Sequence, residues 1–411
     1  MLQVELREKS LEDYRPIVGE GVIAEVRELA EGLKGAKVAH INATAYGGGV
    51  AEILYTLVPL MRDVGLAADW WVVEGADEFF NVTKAFHNGL QGADTPLTAE
   101  MRDIYERYNR RNAAAFSPED YDFVVVHDPQ PAALRALLGH CHARWIWRCH
   151  IDTSTPNPAF WDYLRPFVEE YDAAIFTLRE FVAHGLQLPH IAIISPSIDP
   201  LSPKNRDIPE DAVRSTVARF GVDTSRPLLV QVSRFDPWKD PLGVIDAYRL
   251  VKREVPKVQL ALVGSMAADD PEGWFFYDRT LRHAGEDYDI HVLHNFHGVG
   301  APEVNAFQRA ADVVIQKSTR EGFGLVVTEA LWKEKPVVGG RAGGIPLQVI
   351  DGQTGFLVES VEECAEKALY LLQRPEESKR MGERAREHVR ENFLCTRHLR
   401  DYLGLLHQLS V

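Results

Sequence analysis

Twelve short runs of β-branched and other apolar residues punctuate the 411-residue chain, and none alternates strictly between polar and apolar. In the first half they span 36–42, 69–74, 123–127, 144–148, 173–177 and 191–194. In the second half they span 228–233, 258–264, 290–293, 312–316, 336–339 and 355–358. A strand wetted on one face shows period-two alternation, whereas a strand covered on both faces reads as continuous Val and Ile. Helical patterns lie between the runs. Asp240 and Pro241 open one as N-cap and first-turn proline, with Leu242, Ile245, Leu250 and Val251 along its apolar face. Ser360 and Glu363 form a capping-box pattern ahead of another. Buried strands alternating with helices predict an α/β fold of two Rossmann-like doubly wound domains. The Pro-, Ser- and Asp-rich stretch 195–210 marks the break between them. A long helical stretch over 378–408 is expected to pack back across the junction.

Charge and composition remove several functions. The formal net charge is −15 and no Lys/Arg cluster is present, which excludes a nucleic-acid partner. No apolar run reaches the length of a membrane span, so no membrane partner is expected. The opening "MLQVELREKSLEDY" lacks the apolar core of a secretory signal, and four cysteines do not make a disulfide scaffold. A cytoplasmic setting is the expectation.

In doubly wound sheets ligands sit at the carboxyl ends of strands. Run 36–42 is followed by "NATAYGGGVAEIL", where Gly47, Gly48 and Gly49 lead into a helix. Backbone N–H groups there can approach an anion at the helix N-terminus, although a plain flexible turn would read the same way. Glu52 stands where the last glycine of a G-x-G-x-x-G motif would be, which argues against a dinucleotide dehydrogenase. Run 228–233 is followed by "SRFDPWKD", which sets Arg234 and Lys239 five residues apart. Two cations there can clamp a diphosphate; alternatively Lys239 pairs with Asp236 or Asp240 on a solvated loop. Run 312–316 leads into "REGFGLVVTEA", with Glu321 in the loop, Gly324 near a helix start and Glu329 within the first two turns. Carboxylates on either side of a helix N-terminus suit a sugar–diphosphate–nucleoside, one taking a hexose and the other a ribose; an acidic helix start is the plainer alternative. His150 and Asp152, in "RCHIDTSTP", follow run 144–148 at the place of a reacting group, unless His150 is simply a hydrogen-bonded core residue. The cluster His140, Cys141, His142, Cys149 and His150 lacks zinc spacing. The acidic stretch 266–274 reads as a solvated loop or a neighbour of the base.

"EGFGLVVTE" matches the E-x₇-E signature of the retaining family 4 glycosyltransferases. "VSRFDPWKD" resembles their phosphate-binding loop, with Asp240 where glycine is usual. "KPVVGGRAGGIPLQVIDGQTGFLV" resembles a further segment, with Gln348 replacing an acidic residue. In the N-terminal half, "GGGVAEILYTLVPLMRDVGL", "EGADEFFNVTKAFHNGLQG", "VHDPQPAAL" and "WRCHIDTSTPN" resemble the nucleoside-diphosphoglucose-dependent trehalose synthases and their relatives the trehalose phosphorylases. The resemblance implies a GT-B fold: an acceptor-binding domain over 1–200, a nucleotide-sugar domain over 201–385 facing it across a central cleft, and a returning helix over 386–411. It implies transfer of glucose, with α configuration retained, from ADP-glucose or UDP-glucose to the 1-hydroxyl of free glucose, giving trehalose. A trehalose phosphorylase, another family 4 transferase, a sugar-nucleotide epimerase or a two-lobed sugar-binding protein are the alternatives. Arg234 and Lys239 would bind the diphosphate, Glu321 glucose hydroxyls and Glu329 the ribose. Gly48, Gly49, Gly322, Phe323, Gly324 and Leu325 would line the donor site, and His150 would contact the transferred sugar. Glu74, Lys84, His87, Asn88, Asp128 and Asp152 are the acceptor candidates, although "FFNVTKAFHN" also reads as an ordinary surface helix. No metal cofactor is required, magnesium entering only as a stimulator, and a homodimer is compatible.

Overall fold

The computed structural model describes residues 1–139, 141–266 and 271–410. His140 and residues 267–270 of the acidic stretch 266–274 therefore lie outside the described residues. The chain divides into two compact units. The first comprises Met1–Ser197 together with Cys395–Val411, and the second Ile198–Leu394.

The first unit is built on a seven-stranded sheet: β1 (Leu2–Gln3), β2 (Lys37–Asn42), β3 (Ala67–Val72), β4 (Phe123–His127), β5 (Arg144–Arg148), β6 (Ala173–Phe176) and β7 (His190–Ile193). Their spatial order is β1-β3-β2-β4-β5-β6-β7. All pairings are parallel except the short β1, which runs antiparallel to β3. The second unit holds β8 (Leu228–Val232), β9 (Gln259–Val263), β10 (Ile290–Leu293), β11 (Val313–Gln316), β12 (Val337–Gly340) and β13 (Gly355–Val358). These form an all-parallel sheet in the order β10-β9-β8-β11-β12-β13. Each sheet reverses direction of winding next to its first long strand, so the carboxyl ends of β2 and β4, and of β8 and β11, are the switch points where ligands bind.

The anticipated runs all became strands, with no end displaced by more than two residues. The apolar continuity had the expected cause: β4, β6, β8, β9, β11 and β12 are buried along their whole length. On one face of the first sheet, Ala39, Ile41, Val124, Val126, Trp145, Trp147, Ala174 and Phe176 join the helix residues Phe86, Tyr105, Phe160 and Leu164 in a single core. Such burial stabilises by about 25 cal/mol per Å² of apolar surface.

The C-terminal end departs from expectation. The stretch 378–408 is not one helix but two, Pro375–Asn392 and Cys395–Ser410. The first stays with the second unit because Gly382 lets its backbone touch the Glu334 carbonyl; a Cβ there would sit 2.0 Å from that oxygen. The return to the first unit thus begins at Cys395 rather than 386. The C-terminal helix (Cys395–Ser410) buries Leu399, Tyr402, Leu403 and Leu406. Among the described residues no helix is long and apolar enough to cross a membrane.

Candidate active site

In the second unit the loops after β8 and β11 come together. Asp236 accepts hydrogen bonds from the backbone N–H groups of Trp238 and Lys239, both at 3.0 Å, folding the loop into a tight turn. Gln231 Nε2 holds the Lys239 carbonyl at 2.7 Å. The turn aims Lys239 at Glu321, with Nζ 2.7 Å from Oε2 and both side chains nearly buried. Ser318 Oγ donates to the same carboxylate oxygen at 3.2 Å. The expected alternatives for Lys239, Asp236 and Asp240, are engaged elsewhere. Asp236 makes a 3.4 Å ion pair with Arg234, whose side chain is 68 % exposed.

Asp240 explains its own departure from the family pattern. Its φ is 48°, the left-handed conformation that glycine adopts at no steric cost. The aspartate offsets the strain with its side chain, which caps the Gly243 N–H at 3.1 Å and pairs with Lys317. Gln348 is equally explicable. It is fully buried and donates from Nε2 to the carbonyls of Phe323 and Gly344, a role that a carboxylate cannot fill.

Gly324, at φ 83°, is the N-cap of the helix Leu325–Trp332 and supplies no side-chain cap. The first backbone N–H groups of that helix are directed into the loop, beside the Lys239–Glu321 pair. Gly322, Phe323 and Gly324 are held from beneath by the loop after β12: Gly344 N–H donates to the Gly322 carbonyl at 2.8 Å. Glu329 falls within the first two turns, as its spacing implied, but its carboxylate is interior. It lies in the second turn, 1 % exposed, with Lys204 Nζ 3.4 Å from its Oε1. It is an interior carboxylate rather than an open neighbour of the helix N-terminus.

In the first unit, the glycine loop, Asp128 and His150 converge on the carboxyl edge of β2, β4 and β5. Gly47 and Gly48 both have positive φ and open the helix Gly48–Asp63 without a side-chain cap, so the N–H groups of Gly48 and Gly49 face the loop. Asp128, also left-handed at φ 65°, accepts the His150 N–H at 2.8 Å. Burial pushes its carboxyl up to about 6. His150 Nε2 lies 3.0 Å from His127 Nδ1. Asp152 caps the Ser154 N–H at 2.9 Å. Lys84, His87 and Asn88 share the outer stripe of the helix Asp77–Leu90, whose inner face buries Phe79, Val82 and Phe86. Glu74 is not placed with them as an open acceptor contact: its carboxylate holds the Met1 amino group at 2.6 Å. That contact lowers the carboxyl below its ordinary value.

Sequence reasoning missed Lys317, Ser318, Gly343, Gly344 and the buried polar groups behind His150. The signal for Gly343 and Gly344 was present in "GGIP", but their contact with the Glu321 loop depends on adjacency of β11 and β12, which spacing along the chain does not encode.

Comparison with known proteins now adds to this geometry. Residues 40–183 match the family model described as trehalose synthase, N-terminal domain, and residues 214–388 match glycosyl transferases group 1. A trehalose synthase of Rubrobacter xylanophilus is 58 % identical, with 98 % of this chain and 97 % of that protein aligned. One of Thermococcus litoralis is 55 % identical over 97 % of each. The chain belongs to the trehalose synthase family. Its fold is GT-B, as in the sucrose-phosphate synthase of Thermosynechococcus elongatus (TM-score 0.71, 16 % identity, 91 % of this chain and 99 % of that one) and the trehalose-6-phosphate synthase OtsA (TM-score 0.71, 13 % identity, 91 % and 99 %). A more distant relative, a trehalose phosphorylase of Pleurotus pulmonarius, is 30 % identical over 92 % of this chain but only 58 % of its own length.

Proposed function

We propose that the chain is a retaining glucosyltransferase that moves glucose from ADP-glucose or UDP-glucose to the 1-hydroxyl of free glucose, yielding α,α-trehalose and the nucleoside diphosphate. The observation that carries this is the Lys239–Glu321 pair beside the uncapped helix N-terminus at Gly324. A cation, a hydrogen-bond-accepting carboxylate and unused backbone N–H groups at one switch point suit a sugar joined to a diphosphate. The relatives named trehalose synthase supply the acceptor.

In this reading Lys239 and Arg234 stabilise the charge that builds on the departing diphosphate, the kind of contribution that dominates many enzymatic rate enhancements. Glu321 accepts hydrogen bonds from the transferred glucose, and the N–H groups of Gly322, Phe323, Gly324 and Leu325 bind phosphate oxygens. Glu329 reaches the ribose only when Lys204 yields. In the first unit Gly48 and Gly49 bind the donor, His150 contacts the transferred sugar, and Lys84, His87, Asn88, Asp128 and Asp152 serve the acceptor. The leaving phosphate takes the proton of the attacking hydroxyl, so attack and departure occur on the same face. No metal is needed, and magnesium at most stimulates; activity should survive chelation by EDTA.

The relative from Pleurotus favours one second reading, a phosphorylase that uses glucose 1-phosphate. Incubation with ADP-glucose or UDP-glucose plus glucose, alongside glucose 1-phosphate plus glucose, separates the two. Trehalose and nucleoside diphosphate from the first mixtures are expected. Trehalose from the glucose 1-phosphate mixture alone would replace the synthase reading with the phosphorylase.

A further inference from the structure

The face of the first sheet opposite its aromatic core carries an unusual row. Strand alternation puts His40 on β2, His127 on β4, Arg148 on β5 and Thr177 just beyond β6 on that face, and all four are buried. The C-terminal helix covers them with Tyr402, whose ring centroid lies 6.0 Å from that of His40, and with His398 5.1 Å from Tyr402. Three imidazoles form a chain. His40 Nδ1 is 3.0 Å from His127 Nε2, and His127 Nδ1 is 3.0 Å from His150 Nε2. Successive rings are 5.3 Å apart and within 29° and 16° of parallel.

A neutral imidazole has one N–H and one lone pair. Two hydrogen bonds shared among three neutral rings therefore fix all three tautomers together. Either each ring donates towards His150, leaving His150 with its proton on Nδ1, or each donates inward, leaving His40 with a proton on Nε2. His40 Nε2 is buried and finds no partner among the described residues. A buried N–H without an acceptor is rarer than a buried lone pair without a donor. The outward array avoids it.

Arg148 acts on the same row. Its guanidinium is fully buried, and none of its nitrogens finds an acceptor among the described residues. The charged and titratable groups around the row are Asp128, Cys149, His398, Arg397 and Tyr402. Burial, the neighbouring rings and Arg148 hold His127 well below the ordinary histidine range; burial, Arg148 and His398 do the same for His150.

We propose that His127, backed by His40, is a positioning residue that locks His150 as an Nδ1–H donor towards a ligand oxygen, and that Arg148 keeps the three-ring array uncharged. The ligand class is an oxygen acceptor, a sugar hydroxyl or a phosphate oxygen. His150 is thereby a fixed hydrogen-bond donor and not the base that takes the acceptor's proton. The functional part rests on the reading that His150 touches substrate.

The test begins with ¹⁵N shifts of the His150 ring in protein labelled on histidine, which distinguish the two neutral tautomers without any substrate. Protonated Nδ1 in the native chain is expected, with a mixture in His127→Phe and restoration in His127→Asn, whose amide can donate to His150 Nε2. Protonated Nε2 in the native chain, or no change in His127→Phe, overturns the proposal. If His127→Phe does not fold, the native shifts alone decide. In turnover, His127→Phe should lose about 10²-fold, as misplaced reacting groups do, and His127→Asn should recover most of it. Arg148→Met should move the acidic limb of the kcat/KM profile to higher pH than in the native enzyme, though still below the ordinary histidine range because burial remains; an unaltered profile overturns the role of Arg148. Should the tautomer shift in His127→Phe while turnover stays native, the array stands and the placement of His150 on substrate falls.

Discussion

At the scale of single residues, the second unit's chemistry rests on one ion pair held nearly out of water. Lys239 and Glu321 are 13 % and 10 % exposed, so their 2.7 Å contact is screened far less than a surface pair. Removing one partner of such a pair leaves the other charge buried and uncompensated, which costs about 3–5 kcal/mol when burial is complete. Lys239→Ala should therefore lower both turnover and stability. Glu321→Gln keeps the shape and a hydrogen-bonding oxygen, and should lower turnover more than stability. A loss of about 10²–10³-fold in kcat is expected for Lys239→Ala, the range seen when a transition-state donor is removed. Steady-state kinetics alongside circular dichroism checks both; a Lys239→Ala enzyme within threefold of native (about 0.65 kcal/mol) would mean that the pair is structural. Asp240 belongs to this scale too. The sequence marked it as a departure from the family pattern but could not give the reason, because a left-handed φ and a partner at Lys317 are properties of the folded loop.

At the scale of elements, the reading from sequence worked where one property decided the outcome. Continuous Val and Ile runs fixed the strands because burial on both faces is a local demand. The helix after Asp240 began at its N-cap, and Ser360 Oγ accepts the Glu363 N–H at 3.0 Å as its spacing implied. Ser360→Ala should thus cost about 1 kcal/mol in urea unfolding. The residues at strand ends were legible for the same reason: the carboxyl edge is defined by the strands themselves. What failed was decided by contacts across the fold. The stretch 378–408 kept a helical pattern across Phe393 and Leu394, where the chain passes from one unit to the other. The His40–His127–His150 chain was invisible because each ring sits alone in its own strand and meets the others only through register. The loop after β12 is the clearest instance. Gly343 has φ 50°, and a Cβ there would lie 1.8 Å from the Glu321 carbonyl oxygen. Gly343→Ala must displace backbone on one side or the other. Turnover should fall at least as far as in Glu321→Gln, with nucleotide affinity, followed by calorimetry, falling as well. An alanine variant with native affinity and rate would show that the Glu321 loop tolerates the displacement.

At the scale of the whole molecule, the buried polar row makes stability depend on pH. His40, His127 and His398 are at most 1 % exposed. Burial, first among the causes, pulls His40 down to about 3 and the other two well below the ordinary value. In the unfolded chain the same rings titrate near 6.5. As pH falls through 6.5 the unfolded chain gains four protons that the folded chain does not, at these three rings and at His150, which burial also holds well below the ordinary value, so stability is present above that value and is lost below it. Asp128 opposes the trend. Its carboxyl, raised to about 6, takes up a proton in the folded state before it does in the unfolded one. The difference between pH 6 and 5 is therefore close to three protons, or about 4 kcal/mol per pH unit. Against a total stability of about 5–15 kcal/mol, one or two pH units are decisive. Five of the eight tryptophans, Trp70, Trp71, Trp145, Trp147 and Trp161, lie in the first unit, so tryptophan fluorescence weights urea unfolding towards the unit that carries the row. The midpoint should drop steeply between pH 7 and 5. In His398→Gln the slope should lessen by one proton, about 1.4 kcal/mol per pH unit, because one ring no longer has to stay neutral in the folded chain. A native midpoint that is level from pH 7 to 5 would mean that the rings take up protons without unfolding, which a row closed off by the C-terminal helix does not permit.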